Sequence, residues 1–198
     1  MELNILSFHG LYSQGNNLEI LINALEFEAE ENGIDVVTSQ HDYPVLKIWQ
    51  GWSKWAREII AEYILKCLAL EYRKFPEAEC WSICHSNGTF GMANALNKYF
   101  YQKQGLYDTI RLDKLILFGF VIKDDFDWNR FPQIKVINFI GRKDRVAGMA
   151  PLYGMGASGK HGFNIPAKNL TQIETNWTHS DFVNPENFEL IRDNLFGK

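Results

Sequence analysis

Short apolar runs and longer amphipathic stretches alternate along this chain from its first residues. Residues 3–8 read as an apolar strand, followed by a loop over 9–15. Asn16 or Asn17 then caps a helix whose apolar residues, Leu18, Leu21, Ile22, Leu25 and Ala29, fall on one face. Gly33 ends that helix, and 34–39 is the next strand. After a loop, a longer helix carries Ala56, Ile59, Ile60, Tyr63, Ile64, Cys67 and Leu68 at i, i+3, i+4 spacing. Pro76 separates it from a strand at 81–84, which runs without a linker into a helix reaching about residue 104. Further strands are predicted at 112–118, 134–140 and 170–174, and a last helix at 185–196. Apolar strands separated by helices predict an α/β fold in three layers, α/β/α, around a mostly parallel sheet of about six strands. No repeat, low-complexity tract or Pro/Ser linker interrupts the pattern, so residues 1–198 are expected to form a single domain. In such sheets ligands bind beyond the carboxyl ends of the strands. The chemistry is therefore sought in what each strand leads into.

Composition narrows the field. The chain is 46% hydrophobic and 22% charged, ordinary for a globular protein, with a formal net charge of −4. That balance argues for no basic surface toward nucleic acid or anionic membrane. No apolar run approaches the length of a membrane span, and the first residues are too short and too acidic a stretch for a signal peptide. The expected location is cytoplasmic. The three cysteines, Cys67, Cys80 and Cys84, fit a reducing compartment. Cys80 and Cys84 on one strand are about 13 Å apart, too far for a disulfide.

The strand at 81–84 turns abruptly into His85-Ser86-Asn87-Gly88 and then a helix. A serine at the apex of a strand-to-helix turn, with Gly two residues later, is the pattern of a nucleophile elbow. The turn lifts the hydroxyl out of the sheet and aims the first free helix amide at whatever the serine attacks. Gly88 is expected where a side chain would collide with neighbouring backbone. Cys84 stands where the pattern G-x-S-x-G has its first Gly. The same residues also describe an ordinary helix start with Ser86 as its N-cap.

Other strand ends decide between those readings. Acyl transfer needs two amide donors for the oxyanion: one from Asn87, the other from Leu11, in a loop that Gly10 lets approach closely. His9 reads as a structural histidine in that loop. A Ser–His pair needs an orienting carboxylate, and Asp144 follows the strand at 134–140; Asp124 and Asp125, after the preceding strand, are the rivals. Of the five histidines, His9 and His41 precede the elbow, His85 adjoins Ser86 and is expected to point away from its side chain, and His161 lies in a Gly-rich run. His179 follows the last strand, where a loop can return an imidazole to the serine. Ser86, Asp144 and His179 then stand in the chain order serine, acid, histidine.

On these residues the chain resembles the α/β-hydrolase superfamily. Phe8-His9-Gly10 resembles its oxyanion loop, Cys84-His85-Ser86-Asn87-Gly88 the motif Gly-His-Ser-x-Gly, the stretch 141–146 the acid loop and 178–182 the histidine loop. The resemblance spans nearly the whole chain and lacks the fold's usual first two strands, as in small lipases and cutinase-like members. It implies a minimal six-stranded core with Ser86 as nucleophile, His179 as base and Asp144 as its orienter. It also implies a serine hydrolase cleaving an ester or related acyl bond of a small-molecule substrate, with neither metal nor organic cofactor. The stretch between Phe120 and Ile134 is too short for the helical cap of larger relatives. The aromatic-rich loops 40–55 and 121–131, the latter with Phe126 and Trp128, are candidates to cover the site. Tyr12 is the expected substrate-facing aromatic.

Three other readings compete. Residues 154–161 nearly fit G-x-x-x-x-G-K-[ST], but His161 replaces the hydroxyl residue and no strand leads in, so a mobile loop is expected there. Cys84 as nucleophile is disfavoured by strand alternation. A catalytically silent binding module, or an acyltransferase using the same triad, remains compatible with the fold.

Overall fold

The computed structural model describes residues 2–9, 16–41, 54–101 and 110–197. Its centre is a six-stranded, wholly parallel sheet in the order β2-β1-β3-β4-β5-β6. The strands are β1 (Glu2–Phe8), β2 (Asp35–His41), β3 (Glu79–His85), β4 (Lys114–Phe118), β5 (Lys135–Gly141) and β6 (Leu170–Thr175). Helices α1 (Asn16–Glu31), α2 (Lys54–Lys74), α3 (Asn87–Tyr101), α4 (Arg145–Met149), α5 (Ser158–His161) and α6 (Phe188–Phe196) connect or follow them.

Side-chain alternation along the strands sorts the core into two faces. Leu6, Phe8, Cys80, Cys84, Leu115 and Leu117 face α2 and α3, meeting Ile60, Ile64, Leu68, Met92 and Leu96. Leu3, Ile5, Trp81, Ile83, Ile116 and Phe118 face α1 and α6, meeting Leu21, Leu25, Ile191 and Leu195. With both faces covered, β3 to β5 are buried nearly throughout, which is why they read as apolar runs rather than as alternating patterns. No helix among the described residues is long and apolar enough to cross a membrane.

The differences from expectation have local causes. β2 extends to His41, whose ring stacks on Phe8 at 5.5 Å. On α2 the buried stripe is rotated, so that Ala61 and Leu65 are buried while Ile59 is 38% exposed. The last helix is preceded by a separate 3-10 turn, Pro185–Asn187. The Gly-rich run is packed rather than mobile. The amides of Gly156, Ser158 and Gly159 donate to the carbonyls of Val121, Ile122 and Phe120 at 3.1, 3.4 and 2.8 Å. A Cβ on Gly156 would lie 1.9 Å from the Ile122 oxygen, and one on Gly159 2.3 Å from the Phe120 nitrogen. Glycine is used here so that two backbones can touch.

Candidate active site

Ser86 follows β3 directly and has φ of +52°, the one positive φ at a non-glycine residue among those described. Such a conformation is costly for an L-residue and persists only where its surroundings hold it. Here they do. The Ser86 amide donates to the Phe118 carbonyl at 3.0 Å, and its carbonyl accepts from the Thr89 amide at 3.0 Å and from the Thr89 hydroxyl. Thr89 in turn accepts from the Val121 amide at 3.3 Å, which ties the turn to the exit of β4. A Cβ on Gly88 would lie 2.4 Å from the Phe8 carbonyl oxygen and 2.8 Å from that of His9. The start of α3 is therefore pressed onto the end of β1, as expected from the sequence. Asn87, the first residue of α3, is buried, and its backbone amide has no hydrogen-bond partner among the described residues.

Asp144 lies just beyond β5 and is 1% exposed. One carboxylate oxygen caps α4 by accepting the Ala147 amide at 2.8 Å; the other lies 2.8 Å from Nδ1 of His179. A carboxylate only accepts, so Nδ1 carries the proton and Nε2 is left as the acceptor. The loops that bring these residues together are laced by main-chain bonds. The amides of Arg142 and Lys143 donate to the carbonyls of Thr175 and Trp177 at 3.0 and 3.1 Å. Gly141 permits the crossing, because a Cβ there would lie 2.8 Å from the Trp177 oxygen.

The histidine loop is held at both ends by aromatic rings on the sheet. Trp177 stacks on Phe139 at 5.5 Å, and Phe182 stacks on Phe118 at 4.6 Å. Between them the Asp181 carboxylate accepts from the Thr178 amide and hydroxyl at 2.8 and 2.7 Å, bonds that hold its pKa below the ordinary value. The imidazole of His179 rests against Gly119, where a Cβ would lie 2.7 Å from Cε1. Gly119 immediately follows Phe118, the residue that accepts the Ser86 amide. The elbow and the imidazole are thus anchored to consecutive residues at the end of β4.

The rival residues are occupied elsewhere. Asp124 accepts the Ala157 amide at 3.3 Å. Cys84 is fully buried, and burial pushes its thiol up to about 12, far from the thiolate a nucleophile needs. In the run at 154–161 the amides of 156–159 are spent on residues 120–124 and the other four on carbonyls of Ala150, Pro151 and Ala157, and the stem of Lys160 lies across Gly148, so no nest of free amides is left for a phosphate. Trp128 is 0% exposed among Phe120, Phe131 and Phe163, so its ring builds core instead of gripping a substrate, and the half-buried Phe126 packs against it. Leu11, Tyr12 and the loop 42–53 lie outside the described residues. His9 is buried at the end of β1. Among the described residues no cluster of His, Cys, Asp and Glu is arranged to hold a metal ion.

Two contributors escaped the sequence reading. Gly119 carries a visible signal, a glycine directly after an apolar strand. His85 does not: its ring lies 4.7 Å from that of His179 and 4.8 Å from that of Phe182, a contact made between the end of β3 and a segment far away in sequence.

No protein-family model matches the sequence, and no curated protein matches it. Solved structures do. A predicted CIB-like hydrolase from Thermoplasma acidophilum superposes with a TM-score of 0.54 at 17% identity, covering 99% of this chain and 87% of that one. The esterase Pf2001 of Pyrococcus furiosus gives 0.53 at 12% identity, over 98% of this chain and 82% of that one. The product of lin2722 from Listeria innocua gives 0.58 at 13% identity, over 98% and 94%. Together with the wholly parallel six-stranded sheet, they establish that the chain has the α/β-hydrolase fold.

Proposed function

We propose that this protein is a serine hydrolase that cleaves a carboxylic ester or related acyl bond, with Ser86 as nucleophile, His179 as general base and Asp144 as its orienter. The observation that carries the reading is the 2.8 Å contact between the buried Asp144 and His179, whose ring rests on the same strand end that anchors the strained Ser86 turn. A structural histidine has no need of a buried carboxylate fixing its tautomer beside a serine held at positive φ. Two structural neighbours, a predicted hydrolase and an esterase, agree with it.

In this mechanism Oγ of Ser86 attacks the carbonyl carbon while Nε2 of His179 takes its proton. Asp144 stabilises the imidazolium that forms. The developing oxyanion is met by the amide of Asn87 and, from the loop after β1, that of Leu11. His179 returns the proton to the departing alcohol, leaving an acyl-enzyme. Water activated by the same imidazole then hydrolyses the acyl-enzyme and restores Ser86. The chemistry calls on neither metal nor organic cofactor.

The test is labelling by a fluorophosphonate probe, followed by hydrolysis of p-nitrophenyl esters of increasing chain length. Wild type is expected to label, with Ser86→Ala abolishing labelling and His179→Ala slowing it by about 10³-fold or more. A folded wild type that does not label, or a Ser86→Ala variant that labels normally, overturns the assignment.

A further inference from the structure

His85 adjoins the proposed nucleophile, yet the mechanism above gives it no task. Its Nε2 lies 3.1 Å from the main-chain carbonyl oxygen of His179. A carbonyl oxygen only accepts, so Nε2 carries the proton. That choice leaves Nδ1 as a bare acceptor, and it is buried without a hydrogen-bond partner. An unsatisfied buried acceptor is a cost that phenylalanine would avoid while still packing on Phe182. What phenylalanine lacks is the Nε2 proton, and the bond it makes to His179 is what sets the histidine apart.

We propose that His85 is a positioning residue for His179, its Nε2–H holding the His179 main chain while its ring bears on the imidazole. This rests on the reading of His179 as general base. The base is then fixed on three sides: its carbonyl by His85, its Nδ1 by Asp144, and its ring by Gly119 beneath. The donor must also be uncharged. When His179 takes the serine proton it becomes an imidazolium, and a second cation 4.7 Å away would oppose it. Burial, reinforced by the neighbouring His179, lowers the pKa of His85 to about 3, so it stays neutral wherever an ester hydrolase operates. The other groups it senses are Asp144 and His9, and neither reverses that outcome. A lysine or arginine would supply the donor and bring the unwanted charge; a neutral imidazole supplies the donor alone.

Two variants separate positioning from packing. His85→Phe keeps the ring and removes the donor; His85→Gln restores a donor near the same place. With a p-nitrophenyl ester, His85→Phe is expected to lower kcat by about 10- to 100-fold with KM nearly unchanged, and His85→Gln to recover most of the loss. A second readout does not depend on turnover. In ¹⁵N imidazole spectra of wild type and of Ser86→Ala, His85 should be the Nε2–H tautomer and should not titrate between pH 5 and 8. The Nδ1 proton of His179 should exchange with solvent faster in His85→Phe than in wild type or His85→Gln. The proposal is overturned if His85→Phe keeps wild-type kcat and proton exchange, or if the spectra put the His85 proton on Nδ1. The spectra decide this even if Ser86 proves not to be a nucleophile, and they decide it from wild type alone if His85→Phe does not fold.

Discussion

Gly119 has φ of +54°, and its missing side chain is the space the His179 ring occupies. An alanine there meets two penalties. The left-handed conformation costs an L-residue about 1–2 kcal/mol. Its methyl would also sit 2.7 Å from Cε1 and 2.8 Å from Nδ1 of His179, so the imidazole must move. Displacing a general base by about 1 Å is enough to lose about 10²-fold in rate. Gly119→Ala is therefore expected to remain folded, with a lowered Tm, while kcat/KM on an ester falls by about 10²-fold or more. Wild-type kcat/KM in a folded Gly119→Ala protein would show that the imidazole does not work from the position seen here. His85 and Gly119 differ in how far they were legible. A glycine after an apolar strand is a local signal. The histidine acts only through a loop 94 positions later, and no spacing rule reaches that far.

At the scale of elements, the close contacts of α3 make two glycines comparable. Gly91 lies where α3 crosses α2, and a Cβ there would meet the Ile60 and Ile64 side chains at 2.5 and 2.9 Å. Side chains can turn aside, and alanine is the better helix former, so Gly91→Ala should cost about 1–2 kcal/mol and leave labelling intact. Gly88 abuts the carbonyls of Phe8 and His9, which belong to backbone and cannot yield without moving the end of β1. Gly88→Ala should cost more than Gly91→Ala and also lose labelling. Urea denaturation of the two variants checks the ranking, and equal midpoints with equal labelling would sink it. The same comparison explains what the sequence could say about elements. Strands buried on both faces read directly as apolar runs, and the expected order serine, acid, histidine followed from asking where each run ends. The segment between Asp144 and β6 did not read, because its Gly and Pro residues carry no period. Its structure comes from backbone contacts with residues 120–124 that only the folded chain brings together.

Across the whole molecule, the two ends of a parallel sheet are free to serve different ends, and β4 shows the division along one strand. Its carboxyl end carries Phe118 and Gly119, which anchor Ser86 and seat His179. Its amino end, about 13 Å from Phe118, carries Lys114. Lys114 is 7% exposed; its Nζ donates to the Leu195 carbonyl at 2.9 Å and lies 3.3 Å from the centre of the Trp81 ring. It ties the C-terminal end of α6, where a cation is favoured, to the amino end of β4. Burial lowers its pKa to about 8 from the ordinary 10.5. Between those values the unfolded chain keeps a proton that the folded chain has released, so on this account stability rises with pH; below pH 8 both states are protonated and the contribution is constant. The buried thiols act in the opposite sense: burial raises Cys67 to about 11 and Cys80 and Cys84 to about 12, so their contribution falls as the unfolded thiols ionise from about pH 9. Comparing wild type with Lys114→Met cancels the thiols. The variant should unfold more readily at pH 7, by about 1–3 kcal/mol for a lost charge-assisted bond, and the gap should widen between pH 8 and 10.5. Its kcat/KM on an ester should stay within about twofold of wild type, because nothing at the carboxyl end depends on Lys114. A Lys114→Met protein with unchanged stability but impaired turnover would contradict this division, since it would mean that β4 transmits strain along its length to the site.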